Sequence, residues 1–172
     1  MLDLSVVTPA HNEQENLEAL ASEVQKALAT LGISWELVVV DDGSTDRTRA
    51  TLTGLISTRP WLRAVAMSNT PPGKGNGQSA AFHAGIRASR GRLIATMDAD
   101  LQNDPADLPM MLRKVTETGA DLVQGDGHHL AGGDAAARFL LDPCAQIGTV
   151  VAEGGVPGKL GPRGGYQAVT LF

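Results

Sequence analysis

Cysteine is almost missing from this chain of 172 residues, where Cys144 stands alone. One thiol cannot close an internal disulfide, and it excludes a zinc cluster built on cysteines. Nothing near it in sequence would activate it, so it reads as an inert thiol. Positive charge is also short. Lys and Arg number 14 against 19 Asp and Glu, a formal net charge of −5. The basic residues are scattered singly and form no stripe, which excludes a nucleic-acid partner. No apolar run approaches the ~20 residues needed to cross a bilayer. The N-terminus lacks a basic region followed by a long apolar stretch, so no signal peptide is expected. A cytoplasmic location follows as an expectation, and a peripheral contact at the cytoplasmic face of a membrane is compatible with it.

Several motifs are absent as well. The phosphate loop G-x-x-x-x-G-K-[ST] is not matched. No G-x-G-x-x-G follows the first apolar run, which counts against a nicotinamide-binding domain. The histidines, His11, His83, His128 and His129, are dispersed, and no Ser/His/Asp spacing can be read. There is no internal repeat.

What is present is a globular pattern, 42% hydrophobic and 19% charged, long enough for one domain with a real core. Strand and helix signals alternate through residue 124. Leu4 to Thr8 is an apolar, β-rich run that ends at Pro9. Asn12 looks like a helix cap with Glu15 three residues on, as in a capping box. Leu17, Leu20, Val24, Leu28 and Leu31 follow at helical spacing, and Gly32 closes the helix. Trp35 to Val40 predicts a strand buried on both faces. After the turn at Asp41 to Ser44, a helix carries Leu52, Leu55 and Ile56 on one side and stops before Pro60. Ser44 or Thr45 is expected to cap it. Leu62 to Met67 predicts a third strand, 78–89 a small-residue helix, and Leu93 to Met97 a fourth strand. Asp104-Pro105 has the form of a cap with proline at the first helical position. Leu108, Met111, Leu112 and Val115 form the next stripe, and Asp121 to Gln124 a fifth strand. Such alternation predicts a mostly parallel α/β sheet flanked by helices. Ligands in such sheets bind beyond the carboxyl ends of the strands. The turns Pro9 to Glu13, Asp41 to Ser44 and Asp98 to Gln102 should therefore meet at one crevice.

The last of these turns is the most informative. The fourth apolar run ends in Asp98 and Asp100, one residue apart. In an extended chain such side chains lie on one side, roughly 7 Å apart. Like charges that close repel, by up to about a few kcal/mol when partly buried, and a cation between them relieves this. Oxygen donors favour Mg²⁺ or Mn²⁺, which share their shell with substrate phosphates. Gln102 adds a third oxygen donor. On its own, however, a D-x-D pattern is common in loops. Asp41-Asp42 reads equally as turn chemistry or as acceptors for ribose hydroxyls and base N–H groups. Gly73-Lys74-Gly75-Asn76-Gly77-Gln78 reads as a mobile loop rather than a phosphate cradle. From Gly125 the pattern changes: the remaining 48 residues hold 11 of the 20 glycines. Only Val150-Val151 and Ala168 to Phe172 resemble strands there, and 135–141 shows weak helical periodicity.

Four ordered segments add a resemblance. They are Ser5 to Glu13 (SVVTPAHNE), Val38 to Asp46 (VVVDDGSTD), Gly77 to Ala81 (GQSAA) and Met97 to Asp104 (MDADLQND). Together they resemble the family 2 glycosyltransferases, and most of all the polyprenyl-phosphate sugar transferases such as dolichol-phosphate mannose synthase. The likeness covers roughly residues 3–125. It implies a GT-A, Rossmann-like fold and a nucleotide-diphosphate sugar donor, UDP- or GDP-linked. It places Pro9, Asn12, Glu13, Asp41, Asp42, Gln78 and Asp98 at the nucleotide sugar. It gives Asp98 and Asp100 the catalytic role, and Asp98, Asp100 and Gln102 the divalent ion. The implied reaction is inverting transfer to a polyprenyl phosphate, dolichyl or undecaprenyl. Residues 1–125 would then be the nucleotide-sugar-binding domain. Residues 126–172 depart from the family pattern and read as an irregular tail of a truncated or frame-shifted product. A binding-only remnant that holds nucleotide sugar without transfer is the alternative. A sugar nucleotidyltransferase is disfavoured, because Pro9 to Asn16 replaces the glycine-rich basic loop expected there.

Overall fold

Continuous apolar runs form the centre of the sheet. Leu37, Val38, Val39 and Val40 are all buried, and they lie in strand β2 (Trp35–Asp41) between β1 (Leu2–Ala10) and β3 (Leu62–Ala66). The computed structural model describes residues 1–68, 70, 73–124 and 149–151. The remaining elements are α1 (Leu17–Leu28), α2 (Thr48–Thr58), α3 (Gln78–Ala88), β4 (Gly91–Thr96), α4 (Leu108–Thr118), β5 (Leu122–Gln124) and β6 (Thr149–Val151). The sheet order is β3-β2-β1-β4-β6-β5. The first four strands in that order run parallel, and β6 is antiparallel to both β4 and β5.

Strand alternation divides the core between the two faces of the sheet. Val6, Leu37, Val39 and Ala95 face α1, α2 and α4, in a cluster with Leu20, Leu52 and Met111. Val7, Val38, Val40 and Ile94 face α3, against Ala81 and Phe82. Gly85 lets α3 lie this close, since a Cβ there would fall 2.3 Å from Val7 Cγ1 and 2.8 Å from Val40 Cγ2. Pro9 sits past the last β1–β4 pair, Val7 with Thr96, so its missing N–H removes no ladder bond.

Local differences from expectation have local causes. Asn12 does not cap α1. The helix starts at Leu17, and Asn12 takes a left-handed φ of +62°. Its Oδ1 instead accepts from Thr45 N at 2.8 Å and Asp46 N at 3.3 Å, joining the turns after β1 and β2. Ser44 and Thr45 do not cap α2 either. That helix begins at Thr48, whose N–H donates to Asp46 Oδ1 at 2.9 Å, and Ser44 Oγ accepts from Asn12 N. Ile56 is exposed, while Leu52 and Leu55 are buried. The fourth strand stops at Thr96, one residue early, and Leu31 lies beyond the end of α1. Asp104 does cap, accepting from Ala106 N at 2.8 Å ahead of the 3-10 turn Pro105–Asp107. β5 pairs with β6 and not with β4, and β6 contains the expected Val150-Val151 strand. The expected helix at 135–141, the strand Ala168 to Phe172 and the irregularity of 126–148 and 152–172 lie outside the described residues.

At the amino end of the sheet, Glu36 is fully buried yet fully bonded. Its carboxylate accepts from Ser5 Oγ, Arg90 N, Arg90 Nε and Nη2, and Arg63 Nη1, at 2.7–2.9 Å. Burial alone would raise the pKa of Glu36. The bonds from Arg90, Ser5 and Arg63 outweigh it and hold the carboxyl below its ordinary 4.5. No helix among the described residues is long and apolar enough to cross a membrane.

Candidate functional site

The carboxyl ends of β1, β2 and β4 open onto one cleft of about 380 Å³. The turn after β1 contributes Pro9, Ala10, His11 and Glu13, and the turn after β2 contributes Asp42. The loop into α3 contributes Lys74, Gly75, Gly77 and Gln78, and the turn after β4 contributes Asp98, Ala99 and Asp100. The three turns expected to converge do so. The reason is the parallel register: each strand ends at the same level and turns away there.

Asp98 is half-buried, and Asp100 is exposed. Ala99 between them is buried in the core, so the alternation of β4 persists past its last paired residue. Asp98 Oδ1 accepts from Gln78 Nε2 at 2.6 Å, and Asp98 N donates to Asn103 Oδ1 at 3.0 Å. Burial raises the pKa of Asp98. The bond from Gln78 opposes this, and the charges of Asp100 and Glu13 push it up further. Asp100 Oδ1 accepts from Gln102 N at 3.1 Å, which turns the chain sharply, and Leu101 takes a left-handed φ of +63°.

Asp41 and Asp42 have different surroundings. Asp41 is buried and does not line the cleft. Its Oδ2 accepts from Arg49 Nε at 3.0 Å and Nη2 at 2.7 Å, and its Oδ1 from Ser44 N at 2.9 Å. Burial pushes Asp41 up, but the Ser44 bonds and the Arg49 guanidinium hold it below its ordinary 3.8. Asp42 lines the cleft, and its carboxylate receives the loop that leads into α3. Oδ2 accepts from Asn76 N at 2.7 Å and Gly77 N at 2.8 Å, and Oδ1 from Asn76 Nδ2 at 3.0 Å. The loop read from sequence as mobile is thus tied to β2.

Pro9, Glu13, Asp42, Gln78, Asp98 and Asp100 therefore come together, whereas Asn12, Asp41 and Gln102 do not line the cleft. Asn12 is drawn away by its bonds to the β2–α2 turn, Asp41 by Arg49, and Gln102 by the turn at Leu101. Sequence reasoning passed over His11, whose Nδ1–H donates to Asp42 O at 2.8 Å. Its place between Pro9 and Glu13 was the available signal. Among the described residues, no group of three or more His, Cys, Asp or Glu side chains is placed to hold a metal ion.

The family model for glycosyl transferase family 2 matches residues 5–135. The chain belongs to glycosyl transferase family 2. This family 2 chain is 41% identical over 126 residues to a dodecaprenyl-phosphate galacturonate synthase of Rhizobium johnstonii, covering 72% of the chain and 36% of that protein. It is 39% identical over 120 residues to an undecaprenyl-phosphate 4-deoxy-4-formamido-L-arabinose transferase of Pseudomonas paraeruginosa, covering 70% of the chain and 34% of that protein. The chain thus spans about a third of the length of these curated relatives, 36% and 34%. Among solved structures, a mannosyltransferase of Pyrobaculum calidifontis in complex with GDP-Man and Mn²⁺ superposes with TM-score 0.59 at 21% identity, covering 71% of the chain and 36% of that structure. Glucosyl-3-phosphoglycerate synthase of Mycobacterium tuberculosis, with Mn²⁺, UDP and glucosyl-3-phosphoglycerate, superposes with TM-score 0.54 at 25% identity, covering 70% and 42%. The fold is GT-A.

Proposed function

We propose that this family 2 chain binds a nucleotide-diphosphate sugar, UDP- or GDP-linked, in the cleft. The sugar passes, with inversion, to a polyprenyl phosphate at the cytoplasmic face of a membrane. Residues 1–125 form the donor-binding unit. The observation that carries this reading is the crowding of carboxylates at one cleft. Asp98 is half-buried and raised by burial, and Asp100 and Glu13 add repulsion. A site of that kind favours a divalent cation, and its hard oxygen donors suit Mg²⁺ or Mn²⁺.

The residues present fit such an ion only as part of a shared shell. Of the four carboxylates that line the cleft, Glu13, Asp42, Asp98 and Asp100, the pair after β4 would hold the ion, and the diphosphate oxygens of the donor would complete the coordination. Asp98 and Asp100 would hold the ion, with Gln102 as a third donor by family resemblance. When bound, the ion neutralises the charge that develops on the departing nucleoside diphosphate. Pro9, Glu13 and Asp42 would flank the nucleoside, and Gln78 would fix the orientation of Asp98 through its 2.6 Å bond. An acceptor phosphate oxygen is already a nucleophile, so the acceptor itself asks little of a general base.

A second reading, donor binding without transfer, is favoured by one finding: the family match ends at residue 135. One pair of measurements separates the two. Calorimetry with UDP-GlcNAc and GDP-Man, with and without Mg²⁺, should show metal-dependent binding that Asp100→Ala abolishes. Sugar transfer to a polyprenyl phosphate selects the first reading, and binding with no turnover selects the second. Absence of any nucleotide binding sinks both.

A further inference from the structure

The loop into α3 is tied down at a place that the donor reading alone does not require. The Asp42 carboxylate accepts three bonds from two adjacent loop residues: Asn76 N, Asn76 Nδ2 and Gly77 N. A carboxylate offers about four acceptor positions, so most of Asp42 is used by the loop. Asp42 is only 4% exposed, so the accepting end of these bonds is buried, while Asn76 and Gly77 lie at the surface. Asn76 Nδ2 also donates to Thr70 Oγ1, which extends the tie across the loop.

Two glycines make this packing possible. A Cβ on Gly75 (φ +65°) would lie 2.9 Å from Asp42 Oδ2, and one on Gly43 (φ +75°) would lie 2.4 Å from Thr70 Cγ2. The loop thus closes onto the β2 turn with no space for side chains at either point. Asn76 itself does not line the cleft, while Lys74, Gly75, Gly77 and Gln78 do. Beyond the tie, Gln78 bonds to Asp98. The segment therefore bridges the ends of β2 and β4, with one carboxylate at each end.

We propose that Asp42 is a positioning residue for the donor: its carboxylate ties the Asn76-Gly77 backbone to β2 and so fixes Lys74 and Gln78 as one wall of the cleft. This rests on the donor reading of the cleft. The wall then exists before the donor arrives, and the loop needs no further ordering on binding.

The test uses the full chain with three variants: Asp42→Ala, Asn76→Ala and the double variant. Affinity for UDP-GlcNAc and GDP-Man with Mg²⁺ is measured by calorimetry, and amide hydrogen exchange is followed at Gly77. Asn76→Ala should weaken binding about tenfold although Asn76 lies off the cleft, the order expected for loss of a hydrogen bond to a charged group. The double variant should bind no worse than Asp42→Ala alone, because Asp42→Ala already removes the side-chain bond that Asn76→Ala removes. Exchange at Gly77 should accelerate at least about tenfold in Asp42→Ala. Additive losses, or unchanged exchange at Gly77, would overturn the proposal. A parent chain that binds neither nucleotide overturns the donor reading and the donor role of Asp42 with it; exchange at Gly77 reports on the tie independently.

Discussion

Glu36 and Asp98, at opposite ends of the parallel sheet, meet opposite surroundings. At the amino end, Glu36 is enclosed by two arginines, a serine hydroxyl and a backbone N–H, and its pKa is lowered. At the carboxyl end, Asp98 accepts one side-chain bond, from Gln78, has Asp100 and Glu13 as neighbours, and its pKa is raised. The chemistry of the side chain is the same. The difference lies in what the strands bring beside it. Arg63 and Arg90 enter from just inside β3 and just before β4 at one end, whereas the turns after β1 and β4 bring only like charge at the other. Glu36 is satisfied within the chain, as Asp41 is by Arg49 and Ser44 at the carboxyl end, while Asp98 stands beside like charge.

The largest test of this contrast is Asp100→Ala. It should reduce donor affinity at least about a hundredfold, as expected when several kcal/mol of charge stabilisation is lost. The urea midpoint should stay within error, because Asp100 is exposed and its removal lessens repulsion on Asp98. A large drop in stability would mean that the two surroundings do not differ in this way. Glu36→Ala should do the reverse. It should cost about 3 kcal/mol in urea unfolding, the order for removing one partner of a buried ion pair, while the folded fraction still binds donor.

Acid should reveal the same asymmetry. Glu36 and Asp41 have folded pKa values below their ordinary 4.5 and 3.8, so they stabilise the fold above those values. That contribution is lost as pH falls through their lowered folded values. Glu36→Gln should flatten the loss of stability measured from pH 5 downward, and an unchanged slope would remove Glu36 from the account. Gly85→Ala should cost about 2 kcal/mol by overpacking α3 on β1 and β2, since its Cβ would meet Val7 Cγ1 at 2.3 Å. Asp98→Asn should have only a small effect on stability. Its ionised form is disfavoured in the fold, so the neutral amide should be neutral to stabilising near pH 7, by under about 1 kcal/mol after solvent screening. A clear loss of stability would show that Asp98 is held by more than Gln78.

Much of this was legible without the structure. Leu37 to Val40 announces a strand buried on both faces, and the run before Asp98 announces a strand that ends at polar residues. Those patterns are local, and burial follows them directly. The cap assignments at Asn12, Ser44 and Thr45 were not legible. Each side chain has two sets of partners within reach, one along the chain and one across the sheet. The parallel pairing of β1 with β2 brings the two turns together, and the bonds between turns prevail over the caps. Asp41 and Asp42 are adjacent and chemically alike, so sequence cannot separate them. Alternation sends one toward Arg49 and the other toward Asn76 and Gly77. His11 received no role, because among dispersed histidines only its place between Pro9 and Glu13 marks it.

Strand and helix order, a cleft at the strand ends and the presence of Asp98 and Asp100 in it all follow from local sequence. Period and turn chemistry are properties of short segments, and they survive without tertiary contacts. The tertiary structure decided which acidic residues are spent within the fold and which face the cleft. Glu36 and Asp41 find arginines, Asp42 finds a glycine loop, and Asp98 finds mainly other carboxylates. The physical reason is that a buried charge takes its character from groups far away in sequence, and only the packed sheet brings those groups within reach.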